Sequence, residues 1–453
     1  MKITNWGKYP VQEGELRHWQ ADKGRPTADS QWIPRGMGRC YGDSSLSPLM
    51  LSGLKMDRFL AFDETEGLLT CESGVTYEDL LTHFVPKGWF PPVTPGTKFV
   101  SLGGAIASDV HGKNHHKEGS INQYVREIRL LTAQGEVLRC SRTERPEVFW
   151  ATFGGMGLTG LVLSLTMQLK AIETSAIQGE WVKGRNLQES LEIFEANEDT
   201  TYTMAWIDCL SRGNNLGRTI VMKGEHASLE EVKGSRWEKD PLEVPTTKKL
   251  TVPFDFPTFV LNRFSVQAFN FLYYHKQFKR VKRGLQSYEP FFYPLDSIHH
   301  WNRIFGKRGF TQYQLVVPKE AALTALPQVL KRLRETGFGS FLSVLKLMGP
   351  ETQMMSFPMV GYTLTMDFPI TDQLFPFLEE LDRIVVDHGG RIYLTKDVRL
   401  PADTLPKMYP NLPQFQQVVQ QLDPEGRLQS LQSARLNLRG DQISTPDLQS
   451  THG

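Results

Sequence analysis

The sequence predicts an α+β fold of antiparallel sheets and helices, in two parts of different texture. Hairpin signals and Gly-rich loops fill the first third of the chain, whereas a β-α-β-β-α-β order is legible between residues 311 and 396. Nowhere do strands alternate with helices in the steady repeat of a parallel sheet.

Residues 59–62 and 68–72, joined by a turn at 64–67, read as one hairpin, and residues 125–131 and 136–140 around Ala133-Gln-Gly read as another. Thr76 can cap a helix over 77–84, where Glu78 and Asp79 favour the positive end of the helix dipole. Further on, an extended segment at 311–317 ends at Pro318. A helix over 319–335 follows and stops at Gly337, with Pro327 as an expected kink. Extended segments at 340–347 and 362–367 come next. Thr371 then caps a helix whose Leu374, Leu378, Leu381 and Val385 recur at helical spacing until Gly389-Gly390. A last strand at 391–395 completes the ferredoxin-like order. No internal repeat is visible, and the polar tail from Gly440 is expected to be disordered.

The chain of 453 residues is long enough for two or three domains, and its 51 basic against 50 acidic residues give no global field for nucleic acid. No apolar run is long enough to cross a bilayer, and residues 1–10 lack the apolar segment of a secretory signal. Cys40, Cys71, Cys140 and Cys209 stand far apart without a CxxC, which speaks against a disulfide framework and a zinc site. The expected compartment is the cytoplasm, with peripheral contact at the inner membrane left open. That opening comes from one segment. Lys248 and Lys249 precede an aromatic-rich run over 252–274, and Lys276, Lys279, Arg280, Lys282 and Arg283 close it. Aromatics flanked by basic residues suit an anionic lipid surface, and they equally suit an ordinary helix with a solvated basic end.

Three Gly-rich elements stand in the first 165 residues: 34–43 (PRGMGRCYGD), 95–97 with 101–116, and 154–162. Glycines without side chains let backbone N–H groups converge on phosphate oxygens, as a pyrophosphate cofactor needs. The third element contains G-x-G-x-x-G at Gly155, Gly157 and Gly160, with Glu180 at a suitable distance. It lies mid-chain among hairpins rather than opening a βαβ unit, so an NAD reading is rejected. His111 and His115 are spaced i, i+4, which makes a metal site only on a helix, and the Gly-rich context argues against one there; no metal is expected. In the second part, Gln312 and Gln314 share one strand face by the period of two, and Thr363 and Thr365 share another. Lys346 interrupts an apolar run, and Lys396 ends the last expected strand beside Tyr393. Polar groups converging inside a sheet are costly unless satisfied, so the set points to a substrate pocket.

Taken together, these elements resemble the vanillyl-alcohol-oxidase superfamily, and within it the branch that oxidises decaprenylphosphoryl ribose. The similarity runs from about residue 32 to about 436 and is most specific at 103–116 (GGAIASDVHGKNHH), 149–160 (FWATFGGMGLTG), 310–318 (FTQYQLVVP) and 392–399 (IYLTKDVR). It implies an FAD-binding domain from residues 1–174 and 391–453, with an antiparallel, ferredoxin-like substrate domain inserted over 175–390. It implies FAD contacts from Pro34, Arg35, Gly36, Met37, Gly38, Arg39, Cys40, Tyr41, Gly42, Asp43 and Ser44 in the first loop. In the second they are Gly96, Ser101, Leu102, Gly103, Gly104, Ser108, Asp109, Val110 and His111, and Val162 and Tyr393 complete the set. Arg39 fills the place of the flavin-linking histidine of covalent relatives, which implies non-covalent FAD. Lys396 would lie beside the flavin and the reacting hydroxyl, as base or as stabiliser of the developing alkoxide. Tyr41, His111, Lys113, Gln312, Gln314 and Lys346 match pocket residues that hold sugar hydroxyls and phosphate.

Two positions depart from the actinobacterial pattern. Thr365 stands where those enzymes carry the cysteine attacked by nitroaromatic inhibitors, and Thr363 where they carry an asparagine. Hydride transfer does not need that thiol, so the resemblance implies turnover with resistance to thiol-directed inhibitors, while Thr363, one hydroxyl in place of an amide, bears on which sugar is held. The implied reaction is oxidation of the C2 hydroxyl of a polyprenylphosphoryl pentose to the 2-keto sugar. A short-chain reductase would complete epimerisation, and a quinone-type acceptor would reoxidise the flavin. Oxidation of a soluble aldonolactone or alditol is the alternative, and a flavin scaffold without turnover is disfavoured by Lys396 and the intact loops.

Overall fold

Both expected hairpins form, and their four strands join a fifth in one antiparallel sheet. Its order is Val137–Ser141, Val125–Leu131, Leu161–Gln168, Leu68–Glu72, Phe59–Asp63. The computed structural model describes residues 1–20, 30–245, 250–350 and 354–440, so Lys248, Lys249 and most of the polar tail lie outside the described residues. Helix Tyr77–Phe84 forms as expected. Thr76 Oγ1 accepts from the Asp79 backbone N–H while the Asp79 carboxylate takes the Thr76 N–H in return, a reciprocal cap. Strands Glu15–His18, Leu49–Ser52 and Ile33–Arg35 make a small parallel sheet beside it.

The second large sheet has eight antiparallel strands. One half is the ferredoxin-like unit expected from the sequence: Val344–Met348, Gly361–Pro369, Phe310–Pro318 and Arg391–Ile392, in that spatial order. Helix Ala322–Thr336 runs through Pro327 and ends at Gly337 with φ of 81°, the left-handed conformation glycine tolerates. The other half was not foreseen. Strand Ala176–Gly184, helix Leu187–Glu195, strands Tyr202–Ile207 and Thr219–His226, helix Arg263–His275 and strand Val281–Ser287 repeat the same β-α-β-β-α-β order. Their sheet order, with Val281–Ser287 outermost and then Ala176–Gly184, Thr219–His226 and Tyr202–Ile207, matches that of the first unit. The two units meet strand to strand, with Ala205 opposite Leu345 and Trp206 opposite Val344. An internal repeat invisible in the residues is therefore present in the topology.

Three sequence expectations are corrected. Thr371 does not cap its helix: Leu374–Asp387 begins after Gln373, and the Thr371 hydroxyl is buried without a partner while its carbonyl accepts from Leu374 N–H. The strand expected over 391–395 is only Arg391–Ile392, because Leu394–Lys396 closes into a 3-10 turn that re-aims the lysine. The extended segment at 340–347 is strand only from Val344.

Period-two alternation decides which side of the eight-stranded sheet is wet. Leu315, Leu345, Leu347, Leu364, Met366 and Phe368 enter the main core on the side where helices Ala322–Thr336 and Leu374–Asp387 pack. Gln312, Gln314, Lys346, Thr363, Thr365 and Asp367 fall on the opposite face. The C-terminal residues return to the Gly-rich half: Arg435 pairs with Asp43 (2.9 Å) and Asp397 (2.8 Å), and Trp32 bridges Leu428.

Candidate active site

A cavity of about 800 Å³ lies between the Gly-rich loops and the wet face of the eight-stranded sheet. Its floor is backbone-rich, and at its tightest point a side chain would crowd the neighbouring loop. A Cβ on Gly36 would come 2.3 Å from Ser101 Oγ, so the first loop can approach the second only as glycine. Of the first-loop residues singled out in the sequence, Pro34 to Tyr41 and Ser44 line the cavity; so do Gly96, Ser101, Gly103, Gly104, Ser108, Val110, His111, Val162 and Tyr393 elsewhere. Gly42, Asp43, Leu102, Asp109 and Thr363 do not. Gly42 lies against the Asp397 carbonyl, Asp43 turns to Arg435, and Leu102 is wholly in the core. Asp109 accepts from Ser120 (2.9 Å), Asn122 (3.0 Å) and the Ser356 hydroxyl, so it braces the second loop from behind. The third Gly-rich element leads into strand Leu161–Gln168, not into a helix.

The three histidines of the second loop go to separate partners. His111 faces the cavity and its Nε2 lies 2.9 Å from Gln314 Nε2. Nδ1 of His115 accepts from Gly349 N–H, and His116 Nε2 lies 2.9 Å from the Thr200 carbonyl. Gln314 also donates to Thr363 Oγ1 at 3.2 Å, which is how Thr363 supports the pocket without lining it. Arg39 lies over the ring of Trp6 at 4.1 Å and beside Phe99, which places a guanidinium, not a nucleophile, at the cavity wall.

The polar end of the cavity is crowded with charge. Lys396 Nζ sits 4.2 Å from the Tyr41 ring centroid, and Gln312 links Tyr41 OH (3.4 Å) to Asp367 Oδ1 (2.7 Å). Burial pulls Lys396 down to about 8; Asp367 opposes that pull and Lys346 adds to it. Burial likewise pushes Asp367 up to about 7, and brings Lys346 to about 8 and Lys113 to about 7. His111 is held well below the imidazole range by burial and by Lys346, and Tyr41 well above the phenol range by burial and by Asp367. Lys113 and Lys346 stand half-buried in the cavity wall and form no ion pair among the described residues. Asp367 was missed in the sequence reading, although it continues the Thr363, Thr365 parity along one strand and stands opposite Gln312.

Comparison with known proteins matches these halves to flavoenzymes. Residues 27–141 match the FAD binding domain family, and residues 362–436 match the D-arabinono-1,4-lactone oxidase family. The chain is 37% identical to decaprenylphosphoryl-β-D-ribose oxidase of Mycolicibacterium smegmatis over 412 residues, covering 90% of this chain and 89% of that one. It belongs to the decaprenylphosphoryl-ribose oxidase family. It is an FAD-dependent oxidoreductase of the class that acts on CH–OH groups. A Streptomyces coelicolor protein of unassigned role is 32% identical over 80% of this chain and 100% of its own length. L-gulonolactone oxidase of Bos taurus is more distant, 32% identical over 25% of this chain and 26% of its own. Membership fits the cavity: its volume lies in the range of cofactor and ligand sites, its floor is glycine backbone, and His111 lines it with an Nδ1 that is buried and without a partner.

Proposed function

We propose that this flavoenzyme oxidises the C2 hydroxyl of a polyprenylphosphoryl pentose to the 2-keto sugar. The observation that carries the reading is a polarity gradient across the wet face of the eight-stranded sheet. Along that face, Trp181 pairs with Met222 and Met222 with Met204; Trp206 pairs with Val344, Val344 with Thr365, and Thr365 with Gln314. One end of the cavity is thus aromatic and thioether, the other amide, hydroxyl and lysine. A molecule with a sugar at one end, a phosphate next to it and a prenyl chain beyond matches that order. Lys113 and Lys346, half-buried in the cavity wall without carboxylate partners, are suited to the phosphate.

The assignment of roles follows from charge states. Bound FAD supplies the acceptor for the two electrons removed from the sugar carbon. Residues 1–174 and 391–453 form its domain, held without a covalent bond through the loops that line the cavity, and residues 175–390 form the substrate domain. Lys396, with a pKa near 8, is neutral often enough at mildly alkaline pH to take the hydroxyl proton. Tyr41 stays protonated and His111 neutral, so both orient the sugar by hydrogen bonding rather than by proton transfer. Thr365 lines the pocket as a hydroxyl without a thiol, so the enzyme resists thiol-directed inhibitors. A lipid-linked substrate places the protein at the face of the inner membrane; no helix among the described residues is long and apolar enough to cross it. Epimerisation of the 2-keto product needs a separate reductase, of the short-chain type, and a quinone is the acceptor that reoxidises the flavin.

A soluble aldonolactone or alditol is the second reading, favoured by the match of residues 362–436 to D-arabinono-1,4-lactone oxidase. That stretch supplies Thr365, Asp367, Tyr393 and Lys396, the polar end alone, and leaves the apolar end unexplained. Lys396→Ala tests the core of both. The variant should retain yellow FAD while its anaerobic reduction by polyprenylphosphoryl ribose slows about 10²- to 10⁴-fold. Undiminished reduction removes Lys396 from the chemistry.

A further inference from the structure

Every exposed phenylalanine among the described residues lies between 254 and 278, although the chain has 26 in all. Phe278 is 95% exposed and Phe264 80%; Phe259, Phe271 and Leu272 are exposed beside them. Such clustering is unlike the scatter of single apolar residues on an ordinary surface. Helix Arg263–His275 carries the centre of the patch and has two distinct sides. Val266 and Asn270 anchor it, Asn270 donating to Asp208 Oδ1 at 2.8 Å, and Phe269 and Tyr273 line the apolar end of the cavity. Phe264, Ala268, Phe271, Leu272 and His275 recur at helical spacing on the exposed side.

Charge says what covers that side. From 256 to 288 the chain has no acidic residue, while Arg263, Lys276, Lys279, Arg280, Lys282 and Arg283 fall within it. Arg280 and Arg283 pair with Glu189 and Glu180, but Lys276, Lys279 and Lys282 form no ion pair among the described residues. A second copy of the chain laid on this face by two-fold symmetry would set these cations against each other. An anionic lipid surface would neutralise them and bury the rings at the headgroup boundary.

We propose that this face docks the protein on an anionic bilayer, and that the polyprenyl chain passes from the lipid into the cavity along helix Arg263–His275. The second half rests on the lipid-linked substrate proposed above; the docking does not. The holoenzyme should sediment with phosphatidylglycerol-rich vesicles and not with pure phosphatidylcholine, and added salt should weaken the association. Phe264→Ser, Phe271→Ser and Phe278→Ser combined should weaken partitioning about tenfold or more, and Lys279→Glu with Lys282→Glu on the order of a hundredfold. Both variants should keep the flavin spectrum and wild-type reduction by a short-chain, water-soluble phosphoryl ribose, which separates lost docking from lost folding. Failure of the wild type to bind either vesicle, or unchanged binding by both variants, overturns the docking face. A dimer that these substitutions dissolve overturns it in favour of a second copy. Vesicle binding as expected with no reduction by any phosphoryl ribose upholds the face and refutes the substrate.

Discussion

At the scale of single residues, the site is governed by how far burial moves each proton. Lys396 and Asp367 share one buried polar cluster through Gln312 and Tyr41, and each is displaced toward its neutral form. The ionised carboxylate raises Lys396, so Asp367→Asn should lower it. If neutral Lys396 is the base, the acid limb of the pH–rate profile then moves to lower pH, on the order of one unit. A profile that keeps its limb while the rate falls would mean that Asp367 only packs the pocket. Lys346 offers a test by stability. Its folded pKa, about 8, lies below its value of 10.5 when free, so the unfolded chain binds more protons and wild-type stability rises with pH across that window. Lys346→Met should therefore be the more stable protein at pH 7, by on the order of 2 kcal/mol, and the gap should close toward pH 10. The same variant should raise KM for the phosphorylated sugar. Thermal midpoints at the two pH values decide the first claim, and a gap that does not depend on pH contradicts it.

At the scale of elements, the sheet face sorts the substrate. Met222 sits on the apolar half, opposite Trp181 and Met204, away from Lys396 and the glycine floor. Met222→Gln should raise KM for a long-chain polyprenylphosphoryl ribose about tenfold with kcat nearly unchanged, since it removes binding shared by ground and transition states. A short-chain analogue should show no change; an equal effect on both would break the link between this half of the sheet and the lipid. The ferredoxin-like unit at 311–396 was legible because its helices carry clean apolar stripes and end at glycines. Its twin was not, for physical reasons. Strand Tyr202–Ile207 is buried on both faces and reads as an apolar run broken only by Thr203, and helix Arg263–His275 carries aromatics on both its exposed and its cavity side, which erases the stripe. The Lys396 turn was missed because a 3-10 closure leaves no periodic mark. Asp367 was within reach of the period-two rule and was passed over as one acid among apolar neighbours. For the loops, residue types indicated which segments meet at the cavity but not which members face it: Asp43 and Asp109 look like ligands in sequence and serve as braces in the fold.

At the scale of the whole molecule, the cavity exists only where the parts meet. Gly-rich loops from the first 165 residues supply its floor, the eight-stranded sheet its wall, and the Arg435 bridges fasten the C-terminal return to the first loop. Neither part alone encloses the site. The central claim is that this FAD enzyme draws electrons from a lipid-linked pentose, and the visible spectrum of the purified holoenzyme under anaerobic conditions tests it most directly. The account predicts a yellow protein, its flavin released on denaturation, that bleaches when polyprenylphosphoryl ribose is added. A flavin that stays oxidised with that substrate, yet bleaches with an aldonolactone or alditol, would contradict it.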